Sequence, residues 1–217
     1  MNIYDVSNKA GVSIATVSRV LNGNARVSLA TRKKVLDAMK ELDYTPNVFA
    51  RGLGLNTMKT IGIMCIDSSD IYLANAVYYL EQELRKHSYD SILCCTGKDY
   101  TNKKKYLELL LSKRVDGIIL AGSQFVENTD TYNNDYIINA AKDIPIVLVN
   151  GYLDAPNIYS VMCNDEIAIY NATNLLINNG HRNIVYLYTS KSYSGMNKYA
   201  GYMRALKEAG ITLPEDY

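Results

Sequence analysis

An α/β protein in two parts, a small helical head followed by a parallel sheet covered by helices, is what this sequence predicts. Three observations point there. Residues 1–44 read as short amphipathic helices separated by tight turns. From Thr60 onward, continuous apolar runs alternate with amphipathic helices, the pattern of a sheet buried on both faces. Charge divides along the same line. Residues 1–60 hold nine Lys and Arg against four acids, a net of +5, leaving −4 for the rest of a chain whose formal charge is +1. A basic head on an acidic body is the asymmetry of a protein that meets a polyanion with one segment only.

The head is expected over residues 1–46. Asn2 caps a first helix whose third residue is Asp5, a capping-box variant, with Val6 and Ala10 at helical spacing before Gly11 ends it. Three residues, Gly11, Val12 and Ser13, turn the chain. Ser13 then caps a second helix, Ile14 to Leu21, with Val17 and Val20 or Leu21 inward and Ile14, Ala15, Ser18 and Arg19 left for another surface. Asn22-Gly23-Asn24 stops it. Ser28 caps a third helix whose Val35, Ala38, Met39 and Leu42 make one apolar stripe wide enough to cover the other two. Pro46 then opens a linker, expected over 47–57, in which Asn47 to Leu55 is a conditional helix weakened by Gly52 and Gly54.

The body is expected over 58–217. The predicted order is strand Thr60 to Ile66, helix Leu73 to Lys86, strand Ser91 to Thr96, helix Asn102 to Ser112 and strand Gly117 to Ala121. Helix Tyr136 to Lys142, strand Ile146 to Val149 and a shorter strand Ser160 to Cys163 complete a first subdomain. Helix Glu166 to Asn178, strand Asn183 to Tyr188 and helix Gly195 to Ala209 begin a second sheet at about residue 164. Ligands of such sheets sit beyond the carboxyl ends of the strands.

Composition narrows the class. With 217 residues, 48% hydrophobic and 21% charged, the chain is neither fibrous nor disordered, and its length suits one larger domain plus a small one. No apolar run approaches the roughly 18 residues of a membrane helix, and the start lacks a secretory pattern, so a cytoplasmic protein is expected. Cys65, Cys94, Cys95 and Cys163 follow no metal-ligand spacing, and three of them lie in apolar runs, which predicts no zinc site and no disulfides. No metal or other cofactor is expected.

Two helices joined by a three-residue turn, the second short and exposing small and basic residues, form a helix-turn-helix. A helix entering the major groove by its amino-terminal end brings Ile14 and Ala15 to base edges as apolar contacts and lets Arg19 fork onto guanine. Ser13, Thr16 and the amides beside them suit phosphate. The full string is Asp5-Val6, then Ala10 through Asn22 (AGVSIATVSRVLN), Val27-Ser28, Thr31-Arg32 and Tyr44-Thr45-Pro46-Asn47. It closely resembles the lac repressor (LacI) family of bacterial regulators, with a head most like the catabolite control protein A branch. The resemblance implies a sequence-specific DNA-binding regulator, a repressor controlled by a small molecule such as a sugar, acting as a homodimer on a palindromic operator. It implies DNA-binding positions at Ser13, Ile14, Ala15, Thr16, Ser18, Arg19 and Asn22. In the linker, Asn47, Ala50, Arg51 and Leu53 match the family's hinge, where a leucine wedges between base pairs in the minor groove.

The likeness continues through TIGIM, KRVDGIIL, IPIVLVN, NDEIA and GHRNIVYL. It implies a type I periplasmic-binding-protein-like core, with ligand-binding positions at Tyr72, Leu73, Ser123, Asn150, Tyr152, Asp165 and Lys198. Lys198 departs from the family's usual arginine and offers a point charge in place of a fork. Measured against the family, the sheet domain is expected to be incomplete at the carboxyl end, where the sequence runs to Leu213 and Tyr217. The alternative function is then a truncated small-molecule binding module, or a repressor fragment without effector response. An enzyme acting through serines near the strand ends is disfavoured. His87 and His181 precede strands, at the edge away from the expected site, and neither GxGxxG nor GxxxxGK[ST] occurs, so no catalytic residue is assigned.

Overall fold

The computed structural model describes residues 1–23, 25–45, 57–127, 134–188 and 190–212. The chain separates into two compact units, Met1–Lys59 and Thr60–Tyr217.

Among the described residues, the first unit is three helices, α1 (Ile3–Ala10), α2 (Ile14–Leu21) and α3 (Leu29–Glu41). Each begins at a polar cap. Asn2 Oδ1 accepts from the amides of Tyr4 and Asp5, and the Asp5 carboxylate accepts the Asn2 amide at 2.8 Å, a complete capping box. Gly11 closes α1 in the left-handed region at φ 62°, which glycine adopts without strain. The turn is braced by Ser7, whose hydroxyl donates to the Val12 carbonyl at 2.6 Å. Val6, Val17, Val20, Val35 and Ala38 are buried together, with Ala10, Met39 and Leu42 packed against them. The apolar stripe read along α3 is therefore the one that covers α1 and α2. The hinge positions Asn47, Ala50, Arg51 and Leu53, and the conditional helix around them, lie outside the described residues.

The second unit carries a five-stranded, all-parallel sheet in the order β2-β1-β3-β4-β5. Its strands are β1 (Thr60–Cys65), β2 (Asp90–Cys95), β3 (Gly117–Ala121), β4 (Ile146–Val149) and β5 (Ile158–Val161). Helices α4 (Ile71–Lys86), α5 (Tyr100–Ser112) and α6 (Asp135–Ala140) alternate with them, and a 3-10 turn, Ser123–Phe125, follows β3. The core joins Met64, Cys94, Ile118, Leu120, Ile146 and Leu148 of the sheet to Leu107 and Leu110 of α5 and to Phe125 and Ile137. Gly62 lets α5 approach closely, since a Cβ there would stand 2.7 Å from a Leu110 methyl. β5 begins two residues earlier than predicted because its pairing starts at Ile158, opposite Ile146, directly after Asn157 turns at φ 63°.

Helices α7 (Asp165–Asn178) and α8 (Tyr193–Glu208) follow. They cross at Gly201, where a Cβ would lie 2.1 Å from the Glu166 carbonyl oxygen, so no larger residue fits. Ile177, Tyr202, Ala205 and Leu206 form their own buried cluster. The predicted strand Asn183–Tyr188 is not formed. Its period-2 pattern survives, with Ile184 and Tyr186 packed on the α7–α8 cluster while Val185 and Leu187 are exposed. A strand exists only through a ladder with a neighbour, and among the described residues none pairs with this segment.

Candidate nucleic-acid interface and ligand cleft

In the head, the start of α2 is the exposed end of an otherwise anchored helix. Ser13 Oγ accepts the Thr16 amide at 3.2 Å and lies 2.9 Å from the Thr16 hydroxyl, which fixes the first turn. The amides of Ile14 and Ala15 have no intrahelical acceptor in such a turn and carry the positive end of the helix dipole. Ile14, Ala15 and Arg19 are exposed, Thr16 and Ser18 half-buried, and Val17 and Val20 turn into the core. The residues offered outward are thus small or apolar at the tip and cationic one turn further on. Asn22 ends α2, and its Oδ1 is buried without a hydrogen-bond partner among the described residues.

Sequence reasoning missed part of this surface. Thr16 and Arg19 of α2 share a hollow of about 350 Å³ with Arg26, Val27, Ser28 and Thr31 at the start of α3. Ser28 caps α3 through the Thr31 amide at 3.2 Å, so one capped helix start and two arginines face one hollow, a combination that suits anions. The signal was available in Arg26 standing two residues before a capping serine.

In the second unit, topology places a cleft. From β1 the chain crosses to β2 on one side, and from β3 to β4 on the other, so their carboxyl ends open a crevice at the switch point. Asp70 caps α4 there by accepting the Leu73 amide at 3.0 Å. Ahead of it, the amide and hydroxyl of Ser69 bind the Asp67 carboxylate and hold its pKa below the usual range. Asp70, Tyr72, Leu73, Ser123, Asn150 and Lys198 line a cavity of about 230 Å³. A neighbouring hollow of about 400 Å³ shares Asn150 and adds Asn164, Asp165, Tyr193 and Asn197.

Six of the seven predicted ligand positions meet at this rim. Asn150, turned outward at φ 60°, donates through Nδ2 to the Tyr72 hydroxyl at 2.6 Å. Ser123 Oγ donates to Ser192 Oγ at 3.1 Å. Asp165 accepts from Ser194 Oγ at 2.5 Å and faces Lys198 Nζ at 3.6 Å. Tyr152 lines neither hollow and is 47% exposed. Asp70, Ser192, Ser194 and Asn197 were missed, although Asp70 and Asn197 stand beside the predicted Tyr72 and Lys198. Carboxylate, carboxamide, hydroxyl and ammonium groups beside two tyrosine rings suit a small, hydroxyl-rich molecule. Among the described residues no cluster of His, Cys, Asp and Glu could hold a metal, and no helix is long and apolar enough to cross a membrane.

Comparison with known proteins agrees with both halves of this picture. Residues 2–47 match the family described as bacterial regulatory proteins, lacI family, and residues 58–216 match periplasmic binding proteins and sugar binding domain of LacI family. An HTH-type transcriptional regulator of Lachnoclostridium phytofermentans is 62% identical over 216 residues, covering 100% of this chain and 65% of the relative. Catabolite control protein A of Priestia megaterium is 34% identical over 220 residues, covering 100% of this chain and 64% of its own length. The lac repressor dimer bound to operator and the anti-inducer ONPF superposes with a TM-score of 0.80 at 26% identity, covering 98% of this chain and 63% of that one. The chain thus spans just under two thirds of the length of these relatives.

Proposed function

Because the chain belongs to the lacI family of bacterial regulatory proteins, we propose that it is a cytoplasmic, sequence-specific transcriptional repressor whose hold on DNA answers to a small molecule, a sugar in the first instance. The observation that carries this reading is the start of α2, where Ser13 fixes a helix end that offers Ile14, Ala15 and Arg19 outward over a buried valine face. In this reading residues 1–46 are the head, 47–57 the hinge and 58–217 the effector-binding part. Ile14 and Ala15 meet base edges, Arg19 reads guanine, and Ser13, Thr16, Ser18 and Asn22 position the helix on the backbone. Asn47, Ala50 and Arg51 carry the hinge into the minor groove, where Leu53 is the wedge.

Two heads on a homodimer would read a palindromic operator with its half-sites on one face of the duplex. The cleft of Tyr72, Leu73, Ser123, Asn150, Asp165 and Lys198 would take the effector, with Tyr152 contributing only if it reaches in from outside the lining. Effector binding then changes DNA affinity by as much as it favours one hinge state over the other. No catalytic step enters this reading.

Selection of the 217-residue chain on randomised duplex DNA at fixed salt tests it, since phosphate contacts make affinity salt-dependent. A palindrome with two half-sites is the expected result. A single half-site would remove the dimer from the reading, and no enrichment over an unrelated folded protein would remove DNA recognition.

A further inference from the structure

The carboxyl ends of β1 and β2 bring two thiols together. Cys65 and Cys95 are the last residues of their strands and are register partners in the parallel ladder. Partners in adjacent strands stand on one face of a sheet, and their Sγ atoms lie 3.6 Å apart. The strand spacing of about 4.8 Å falls inside the roughly 4.4–6.8 Å of Cα separation that a disulfide spans. Cys94, one residue earlier, points to the opposite face and is buried with Met64, Leu107 and Leu110.

The two sulfurs differ in access. Cys65 is fully buried and Cys95 is exposed. We infer that Cys65 and Cys95 are a redox-modification site, oxidised to an intramolecular disulfide by a low-molecular-weight disulfide of the glutathione type. This inference stands on the sheet geometry and does not depend on DNA or effector binding.

The chemistry starts at the exposed sulfur. The Cys95 thiolate attacks one sulfur of the small disulfide, forming a mixed disulfide on Cys95 and releasing one small thiolate. Cys65 then gives its proton to a thiolate in the site, and its sulfur attacks Cys95 Sγ, expelling the second small thiolate. In sum, two protein thiols become one disulfide and the small disulfide becomes two small thiols. Burial, reinforced by the contact with Cys95, pushes the Cys65 thiol up to about 12, so Cys65 waits protonated until Cys95 has been loaded.

The bond would act on the cleft. The Cys65 carbonyl accepts the Thr96 amide at 2.9 Å, and the Ile66 carbonyl accepts that of Gly97 at 3.0 Å, so the chain just past the two sulfurs is already laced. Closing the sulfurs to about 2.0 Å ties the end of β2 covalently to the end of β1. The segment after Cys65 leads directly to Asp70 and Tyr72 on the cavity wall.

The test is oxidation of the reduced full chain with oxidised glutathione, followed by alkylation of remaining thiols in denaturant, tryptic digestion and mass spectrometry. Cys94→Ala leaves Cys95 as the sole cysteine of its tryptic peptide, residues 87–98, which makes the assignment unambiguous. The expected result is a cross-link between that peptide and the one holding Cys65, with loss of both alkylatable thiols. In Cys95→Ala, whose side chain is exposed, Cys65 stays fully alkylatable under the same treatment. Three outcomes would overturn the inference. They are a stable glutathione adduct on Cys95 with Cys65 still alkylated, a Cys95 to Cys95 link between two chains, or a link of Cys94 to Cys95 in the unsubstituted protein.

Discussion

The ammonium of Lys103 lies 2.6 Å from Glu127 Oε1 and 2.6 Å from the carbonyl oxygen of Gln124, with its side chain only 4% exposed. A lysine on α5 thereby pins the segment that leaves β3, and the same segment carries Ser123 into the cleft. The Phe125 ring, 6.0 Å from the ammonium, completes the enclosure. A buried cation in such a place is tolerated because both of its acceptors are fixed.

Breaking this pair from one side should be costly. Lys103→Ala leaves the Glu127 carboxylate and the part-buried Gln124 carbonyl without their donor, and about 3–5 kcal/mol of stability should go. Lys103→Met combined with Glu127→Leu should cost less than the two single changes summed. Urea denaturation of wild type, Lys103→Ala, the two other single variants and the double variant measures both, and strict additivity would refute the coupling.

Under the proposed reading, base readout and phosphate contact should separate at Arg19 and Lys33. Arg19→Ala should lose about 1–3 kcal/mol on the selected site and little on random duplex. Lys33→Ala, an exposed cation on α3, should weaken both equally and flatten the salt dependence by about one ion. Titration of both variants on both duplexes at two salt concentrations decides it. Equal loss for Arg19→Ala on the two duplexes would take base reading away from that residue.

Leu53 should control DNA shape more than base choice. If it wedges between base pairs, Leu53→Ala lowers the bend angle of the bound site while leaving the preferred sequence of the half-sites in place. Gel mobility of circularly permuted duplexes reports the angle. An unchanged bend would show that the hinge reaches DNA without intercalating.

Under the proposed reading, Asp165 should answer the effector. Its carboxylate is held by Ser194 and Lys198 at the rim, so Asp165→Asn keeps the shape but removes the charge and weakens the pairing with the ammonium. Operator affinity without effector should stay within twofold of wild type, because the change leaves the head's own residues untouched, and the effector response should fall by about 10-fold or more, the usual worth of a charged hydrogen bond. A panel of sugars added to the operator complex, read by fluorescence anisotropy, checks both values.

Tyr136 should make the protein sensitive to alkali. Its hydroxyl is buried and donates to the Phe125 carbonyl at 2.9 Å, and burial raises its pKa well above the usual tyrosine value of about 10. Below that value neither state ionises and its contribution is intact. Above it the unfolded chain releases the proton while the folded one keeps it, so stability falls by about 1.4 kcal/mol per pH unit. Tyr136→Phe should cost about 1 kcal/mol at neutral pH and remove that part of the alkaline slope. Denaturation midpoints from pH 8 upward compare the two proteins, and parallel slopes would mean that the phenol ionises while folded.

Much of this protein was legible before any fold was known, because the signals were local. The caps at Asn2, Ser13 and Ser28, the valine faces of α2 and α3, and the apolar runs of β1 to β4 each act within a few residues, where backbone geometry and periodicity suffice. The start of α2 could be read for the same reason. Segment 183–188 shows the limit. Its alternation is local and real, yet strand formation depends on a partner ladder that periodicity does not supply. The cleft shows it again. Tyr72 and Asn150 are 78 residues apart, Ser123 and Ser192 are 69 apart, and Lys103 finds Glu127 across 24. Sequence alone determined the helix starts of the head, the strand faces and the charge divide, while the body helices begin one or two residues before the predicted starts. Only tertiary structure decided which polar groups meet and which thiol rests on which, because those pairings arise from strand order and helix crossing, and no local pattern encodes the distance between residues remote in the chain.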